Sequence, residues 1–524
     1  MNESAANGRP DTSWGQAISA LVSPRVITML FLGFSAGVPI LLIFSTLSVW
    51  LREADVARSS ITFFSWAALG YSFKFVWAPL VDKIPLPVLT ARLGRRRAWL
   101  LVSQFAVIAS ILLMASSDPQ ADLVFVAFAA VMLGFSSATQ DIVIDAYRIE
   151  SAGPDLQAMM ASSYIAGYRI GMLVAGAGVL YLAALFGSEE TYDYSSWSLA
   201  YACMAGVMGL GVATTLIISE PEIHRPTSSA FVNTGHNLRF FGVFLCAVAA
   251  FALGFFLSAE IGNAIKTVFV EDVGMTKRLA GFLVETARLA FSVGLGAIVG
   301  WVLVAARAVP AAMIIEGYID PLADFVRRYG KLAILVLVLI GTYRVADIVM
   351  GAVANVFYID LGFTKLQIAL YAKTYGLFAT IGGSFLGGVL AVRYGVIRAL
   401  FLGALLSAAT NVLFAYLATQ DNDTTLLMAV IVADNASAGI ATAAFVAYLS
   451  GLTSVSFTAV QYAIFSSVMT LVPKILAGYS GTIVDNIDYG PFFVLTAVLG
   501  VPVLFLVVWV GKAIPLQEAY SRPS

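Results

Sequence analysis

The chain has 524 residues, of which 60% are apolar and 12% charged, with a formal net charge of −1. Soluble domains carry roughly 25% charged residues, so this composition excludes a soluble globular, disordered or disulfide-framed protein. It also excludes a basic field that would collect nucleic acid. What fits is an all-α polytopic membrane protein, because lipid offers no partner to a free backbone amide and only helices satisfy their own.

In chain order, residues 1–25 form a polar tail with none of the marks of a cleaved secretory signal. Fourteen apolar spans follow, at about 26–50, 59–81, 98–117, 122–147, 157–186, 196–218, 240–258, 280–306, 332–358, 366–391, 398–418, 425–450, 456–483 and 490–511. Each is long enough to cross ~30 Å of hydrocarbon. With the N-terminus inside, the inner segments carry 18 Lys and Arg, Arg148 among them, and the outer segments carry six, namely Arg52, Arg58, Lys266, Lys277, Arg278 and Lys365. That asymmetry predicts both termini in the cytoplasm and an even number of spans.

Cys203 and Cys246 lie in apolar runs without metal-like spacing, and His224 and His236 share one polar loop. No metal site, cofactor motif or hydrolase constellation is expected. Eleven charges do fall inside spans: Lys74, Arg169, Arg288, Arg344, Lys373, Lys474, Asp141, Asp145, Glu285, Asp347 and Asp434. At ~2.5–3.5 kcal/mol each on insertion scales, they demand partners or a wet interior.

A weak internal repeat places a Gly-rich stretch and a basic turn between the second and third spans of each half. The early copy runs Ala78-Pro79-Leu80-Val81-Asp82 to Gly94-Arg95-Arg96-Arg97, and the late one runs Gly387-Gly388 to Arg393 and Arg398. This predicts six helices (26–218), a segment 219–331 holding a linker, an inserted hairpin at about 240–306 and an interfacial stretch, six more helices (332–511), and a tail (512–524). Parallel six-helix repeats are the pattern of major facilitator transporters. The early turn resembles that superfamily's loop motif, with Ala78 in place of Gly, and implies Asp82 and Arg95 as gating residues. In that fold the first, second, fourth and fifth helices of each half line the cavity. The charges outside the hairpin fall on cavity-lining helices only. Glu285 and Arg288, at i and i+3 on the hairpin, are read as a structural pair that docks it.

Several side chains are candidates for solute and proton handling. Asp141 and Asp145 share a helix face and repel each other when both are ionised, which suits a proton carrier; permanent pairing with Lys74 or Arg169 is the alternative. Gly167 and Gly171 allow a close helix approach that holds Arg169 beside a neighbour, where it can grip a carboxylate. Tyr168 offers a ring and a hydroxyl. Arg344 and Asp347 are spaced to pair, Lys373 and Asp434 are candidates to pair across helices, and Gln140, Asn435 and Gln461 can bind amides or hydroxyls. The proton-coupling set is Asp141, Asp145, Asp347 and Asp434. Residues alone indicate a proton-coupled carrier of a polar, carboxylate-bearing solute.

Leu32-Gly33-Phe34-Ser35-Ala36-Gly37-Val38-Pro39, Phe73-Lys74-Phe75-Val76-Trp77, Gln140-Asp141-Ile142-Val143-Ile144-Asp145, Tyr168-Arg169-Ile170-Gly171 and Phe445-Val446-Ala447-Tyr448-Leu449 together resemble the AmpG family of muropeptide permeases. The resemblance implies an inner-membrane proton symporter working as a monomer, with no enzymatic activity. It would import N-acetylglucosaminyl-1,6-anhydro-N-acetylmuramyl peptides for peptidoglycan recycling, which in some bacteria feeds β-lactamase induction and so β-lactam resistance. The chain departs from shorter members at Arg344, where they have Lys, at Asp434, where they have Glu, and in its hairpin. Eukaryotic acetyl-coenzyme A transporters share part of the pattern, so a carrier of another anionic solute is the alternative.

Overall fold

A computed structural model describes residues 15, 19–57, 64, 69–187, 192–222 and 229–514. Most of the predicted N-terminal tail, the first half of the 59–81 span, His224 and all but the first residues of the 512–524 tail lie outside the described residues. Contacts divide the chain into two compact units, one of residues 1–81, 86–223 and 324–524, the other of residues 82–85 and 224–323. The division falls inside the predicted interfacial stretch, because residues from Asp324 onward pack with the larger unit.

Among the described residues, 13 helices are long and apolar enough to cross a membrane. Each matches a predicted span, and the fourteenth, 59–81, is the one only partly described. In the larger unit α1 (Pro24–Ile43) continues as α2 (Ser45–Glu53) after a break at Phe44, one turn beyond Pro39. The described part of the second span comprises α3 (Leu69–Phe73), a 3-10 turn at Lys74–Val76, and α4 (Ala78–Lys83). Then come α5 (Arg95–Ala115), α6 (Leu123–Ser151), α7 (Pro154–Leu173), α8 (Val179–Phe186), α9 (Tyr194–Val207) and α10 (Gly209–Ile217).

Helix starts are set by polar loop residues that accept from the free amides of the first turn. Asp122 accepts from Phe125 N at the start of α6, 2.9 Å away. The start of α5 is built differently. Gly94 takes φ +86°, and Glu220 receives the Arg96 and Arg97 amides at 2.8 and 3.0 Å, a carboxylate at the positive end of a helix. In return the Arg97 guanidinium donates to Thr215 and Leu216 carbonyls at the end of α10 (3.0 and 2.7 Å), so the two helices clamp each other's termini. A Cβ on Gly94 would lie 2.3 Å from the Glu220 side chain.

Helix α7 lies against α1 with backbones nearly touching. A Cβ on Gly167 would be 1.9 Å from the Leu30 carbonyl oxygen, and one on Gly33 would be 2.2 Å from that of Tyr164. Glycines on both helices interlock, where Gly167 and Gly171 alone were expected to serve.

In the second half, α14 (Asp320–Tyr329) leads into α15 (Leu332–Thr342), which breaks at Arg344 before α16 (Val345–Asp360). A π-helical stretch at Ala369–Tyr375 precedes α17 (Gly376–Tyr394). Then follow α18 (Val396–Leu417), α19 (Thr424–Leu452), α20 (Thr458–Ala477), α21 (Ser480–Ile487) and α22 (Tyr489–Ala513). The weak sequence repeat has a backbone counterpart: Gly395 opens α18 at φ +90°, as Gly94 opens α5 at +86°. The halves meet where α7 packs on α17 and α19, and where α3 and α6 pack on α20. Ile149 and Ala158 of the first half share a core with Ala441, Phe445 and Phe465 of the second. At that seam Ser162 donates to the Ser384 carbonyl at 2.6 Å.

The smaller unit holds α11 (Thr234–Leu257), α12 (Ala259–Glu271) and α13 (Lys277–Ala305). The Glu285–Arg288 pair forms at 2.7 Å. Arg288 also donates to the Phe255 carbonyl (2.6 Å) and Ser258 hydroxyl (3.2 Å) and stacks on the Phe255 ring. The pair therefore joins the two legs of the hairpin, and Arg288 shares the Phe255 carbonyl with the Ser258 hydroxyl, which donates to it at 3.1 Å.

Candidate functional site

Three cations of the core sit where helices lose regularity. Lys74 opens the 3-10 turn between α3 and α4, Arg344 stands at the break between α15 and α16, and Lys373 lies within the π-helical stretch. Such breaks free backbone groups and are tolerated in a membrane only inside protein or beside water. The Lys373 side chain, and its expected pairing with Asp434, fall outside the described side chains.

In the first half Lys74 is buried, and its Nζ reaches Asp145 Oδ2 at 3.4 Å. The other oxygen of Asp145 accepts from Arg148 Nη2, also at 3.4 Å. One turn before, Asp141 is buried with its Oδ1 lacking any hydrogen-bond partner. Lys74 and the phenols of Tyr71, Tyr164 and Tyr168 surround it electrostatically. Of the two alternatives for these aspartates, Asp145 adopts the paired one, with Lys74 and not Arg169. Gln140 faces away from this group and donates to Ser35 of α1 at 3.3 Å. Arg169 is exposed although it lies in mid-helix. It pairs with no carboxylate among the described residues; the groups in its electrostatic field are the Tyr168 phenol and, from the other half, the Arg344 guanidinium.

In the second half Arg344 pairs with Asp347 at 2.8 Å, as their spacing predicts, and also holds the Thr442 hydroxyl. Asp434 accepts from Thr410 at 3.1 Å and lies in the field of Asp347 and Arg344. Asn435 accepts from Thr380 (3.1 Å) and donates to the Ile431 carbonyl of its own helix (2.9 Å). The two halves together thus present Lys74, Arg169 and Arg344 alongside Asp141, Asp145, Asp347 and Asp434.

A third polar group, at the ends of α6 and α19, carries residues that the sequence reading placed elsewhere. Gln461 is buried there, donating to Asp324 Oδ2 at 2.8 Å and accepting from Arg328 at 2.9 Å and from Ser454 N at 2.7 Å. Asp324 and Arg328 pair with each other at 2.9 Å. Arg148, counted as a loop cation, is fully buried. It is three residues beyond Asp145 on the same face of α6, the one sequence signal that marks it. Asp82 is buried at the end of α4 and Arg95 half-buried at the start of α5. Arg96, the next residue, pairs with Glu150 at 2.5 Å.

Comparisons place this arrangement. A family model described as Acetyl-coenzyme A transporter 1 matches residues 25–130. A putative transporter AmpG 4 of Rickettsia felis is 29% identical over 94% of this chain and 97% of its own length. The anhydromuropeptide permease of Escherichia coli K12 is 27% identical over 94% of this chain and 80% of its own. The solved structure of FucP, a major facilitator superfamily transporter, aligns with a TM-score of 0.58 at 9% identity, over 94% of this chain and 99% of that one. The chain is therefore a multi-pass membrane protein of the major facilitator fold, similar over nearly its whole length to proteins named as AmpG transporters.

Proposed function

We propose that the protein imports anhydro-muropeptides across the bacterial inner membrane by alternating access, coupled to protons, as a monomeric carrier with both termini in the cytoplasm. The observation that carries the reading is Arg169, exposed, without a carboxylate partner among the described residues and in the electrostatic field of Arg344 from the other half. Two guanidiniums converging on one space suit a solute with carboxylates, since each can grip a carboxylate through paired N–H groups. The stem peptide and muramyl lactyl group of a muropeptide carry such carboxylates. The named relatives support the same solute. Asp141, buried with an oxygen that has no hydrogen-bond partner, is the residue best suited to carry the proton. Tyr168 and Lys74 line the solute path. Asp347 and Asp434 complete the second-half charge group, and the Lys373 backbone lies nearby in the chain on a helix irregularity.

Uptake of labelled anhydro-muropeptide into right-side-out vesicles, with and without a protonophore, tests this. Protein-dependent uptake that collapses with the protonophore is expected. Uptake indifferent to the protonophore would remove the proton role of Asp141. The match of residues 25–130 to the acetyl-coenzyme A transporter model favours a second reading, a carrier of that anionic thioester. Absence of muropeptide uptake, together with uptake of acetyl-coenzyme A, would establish it.

A further inference from the structure

We infer that Arg148 is the latch that holds the two halves of the core together at one end, and that Asp145 sets the latch because Lys74 shares it. The inference rests on reading the chain as an alternating-access carrier. Arg148 ends the cavity helix α6 and is fully buried. From there it reaches the other half twice: Nη1 donates to Ser450 Oγ of α19 at 2.6 Å, and the guanidinium stacks 5.1 Å from the Tyr462 ring of α20. Within its own half it holds Gln157 at 3.3 Å and Asp145 at 3.4 Å. Asp145 is the carboxylate that pairs with it.

That carboxylate is divided. One oxygen faces Arg148 and the other faces Lys74, each at 3.4 Å. Asp141, Tyr164 and Tyr462 are the other titratable groups in its field. A buried guanidinium is stable only while its counter-charge stays. Loss of the Asp145 charge leaves Arg148 buried and unpaired, and separation of the halves is the way for it to regain water. The latch thus lies between the cavity cation Lys74 and the seam where Ser162 binds Ser384, and Tyr462 sits beside Gln461, to which Asp324 and Arg328 are bound. A residue with a purely structural role would not need its carboxylate shared with the solute path.

The test is cysteine accessibility in the full chain in membranes, with Cys203→Ser and Cys246→Ser removing the native thiols. Ala158→Cys reports on the seam, since Ala158 is 2% exposed in a core shared by both halves. Ala200→Cys, fully buried within the first half, reports on general loosening. Arg148→Gln and Asp145→Asn should each raise labelling at the seam about tenfold or more and leave Ala200→Cys silent. Ser450→Ala, which keeps every charge, should give a smaller rise. Unchanged labelling at the seam in both charge variants would overturn the assignment. Equal rises at both reporters would also overturn it and make Arg148 a packing residue. No solute enters the measurement, so these outcomes are independent of what the protein carries.

Discussion

Asp141 and Asp145 are one turn apart on α6 yet stand in different company. Asp145 has two cations, while Asp141 has an oxygen that nothing binds. Asp141→Asn should therefore abolish protonophore-sensitive accumulation and leave solute exchange across the membrane intact, measured as counterflow in preloaded vesicles. Loss of both activities would make Asp141 a structural residue. Arg169 has no carboxylate to neutralise it among the described residues. A hydrogen bond to a charged group contributes about 1.5–3 kcal/mol, so Arg169→Gln should raise the KM for uptake roughly 10- to 100-fold. Arg169→Lys should recover part of that, because the charge returns without the bidentate fork. Equal KM values for wild type and Arg169→Gln would take this residue out of the solute site.

At the scale of the element, two devices position these side chains. The first is the close contact of α1 and α7. Gly167 has no room for a side chain, since a Cβ would lie 1.9 Å from a backbone oxygen that cannot swing aside. Gly167→Ala should therefore push the helices apart and lower the melting temperature in detergent, with a cost of at least about 1–3 kcal/mol, the range for overpacked sites. An unchanged melting temperature would show that α7 can shift without loss. The second device is the reciprocal clamp between the start of α5 and the end of α10. Gly94→Ala would place a Cβ at φ +86° and against Glu220, and should destabilise the protein by about 1–3 kcal/mol. Pairing it with Glu220→Ala should relieve the steric part and leave the backbone strain, a distinction that melting curves of the two variants can draw. Element positions were largely readable from sequence because span length and polar caps are local properties. The start of α6 is capped by Asp122, the last polar residue before its apolar run. The breaks at Phe44 and Arg344 were not readable, since no proline stands at either position.

At the scale of the whole molecule, the halves are joined by contacts far apart in sequence. Arg148 and Ser450 are 302 residues apart, and Ser162 and Ser384 are 222 apart. The repeat seen in the two basic turns becomes two glycines in the same backbone conformation, each opening the third helix of its half. If the core works by alternating access, locking the seam should stop transport. Cysteines introduced by Ser162→Cys and Ser384→Cys and bridged by a short bifunctional reagent should abolish uptake, and reduction of a cleavable linker should restore it. Full uptake after complete cross-linking would show that this seam does not open in the cycle.

The sequence by itself determined that the chain lives in a membrane, where its helices run, and which of its charges must lie in the interior. Each of these follows from sums over neighbouring residues: an apolar run of sufficient length has one stable conformation in lipid, and a charge within it has to find water or a partner. What only the tertiary structure decided is which partner each charge finds. Rotation of α6 about its axis turns Asp145 toward Lys74, and the approach of α19 and α20 turns a cation counted as a loop residue into the one that bridges the halves. The same approach takes Gln461 into a cluster with Asp324 and Arg328. Hydropathy has no term for helix rotation or crossing, so the presence of charges within the spans was legible in the sequence and their wiring was not.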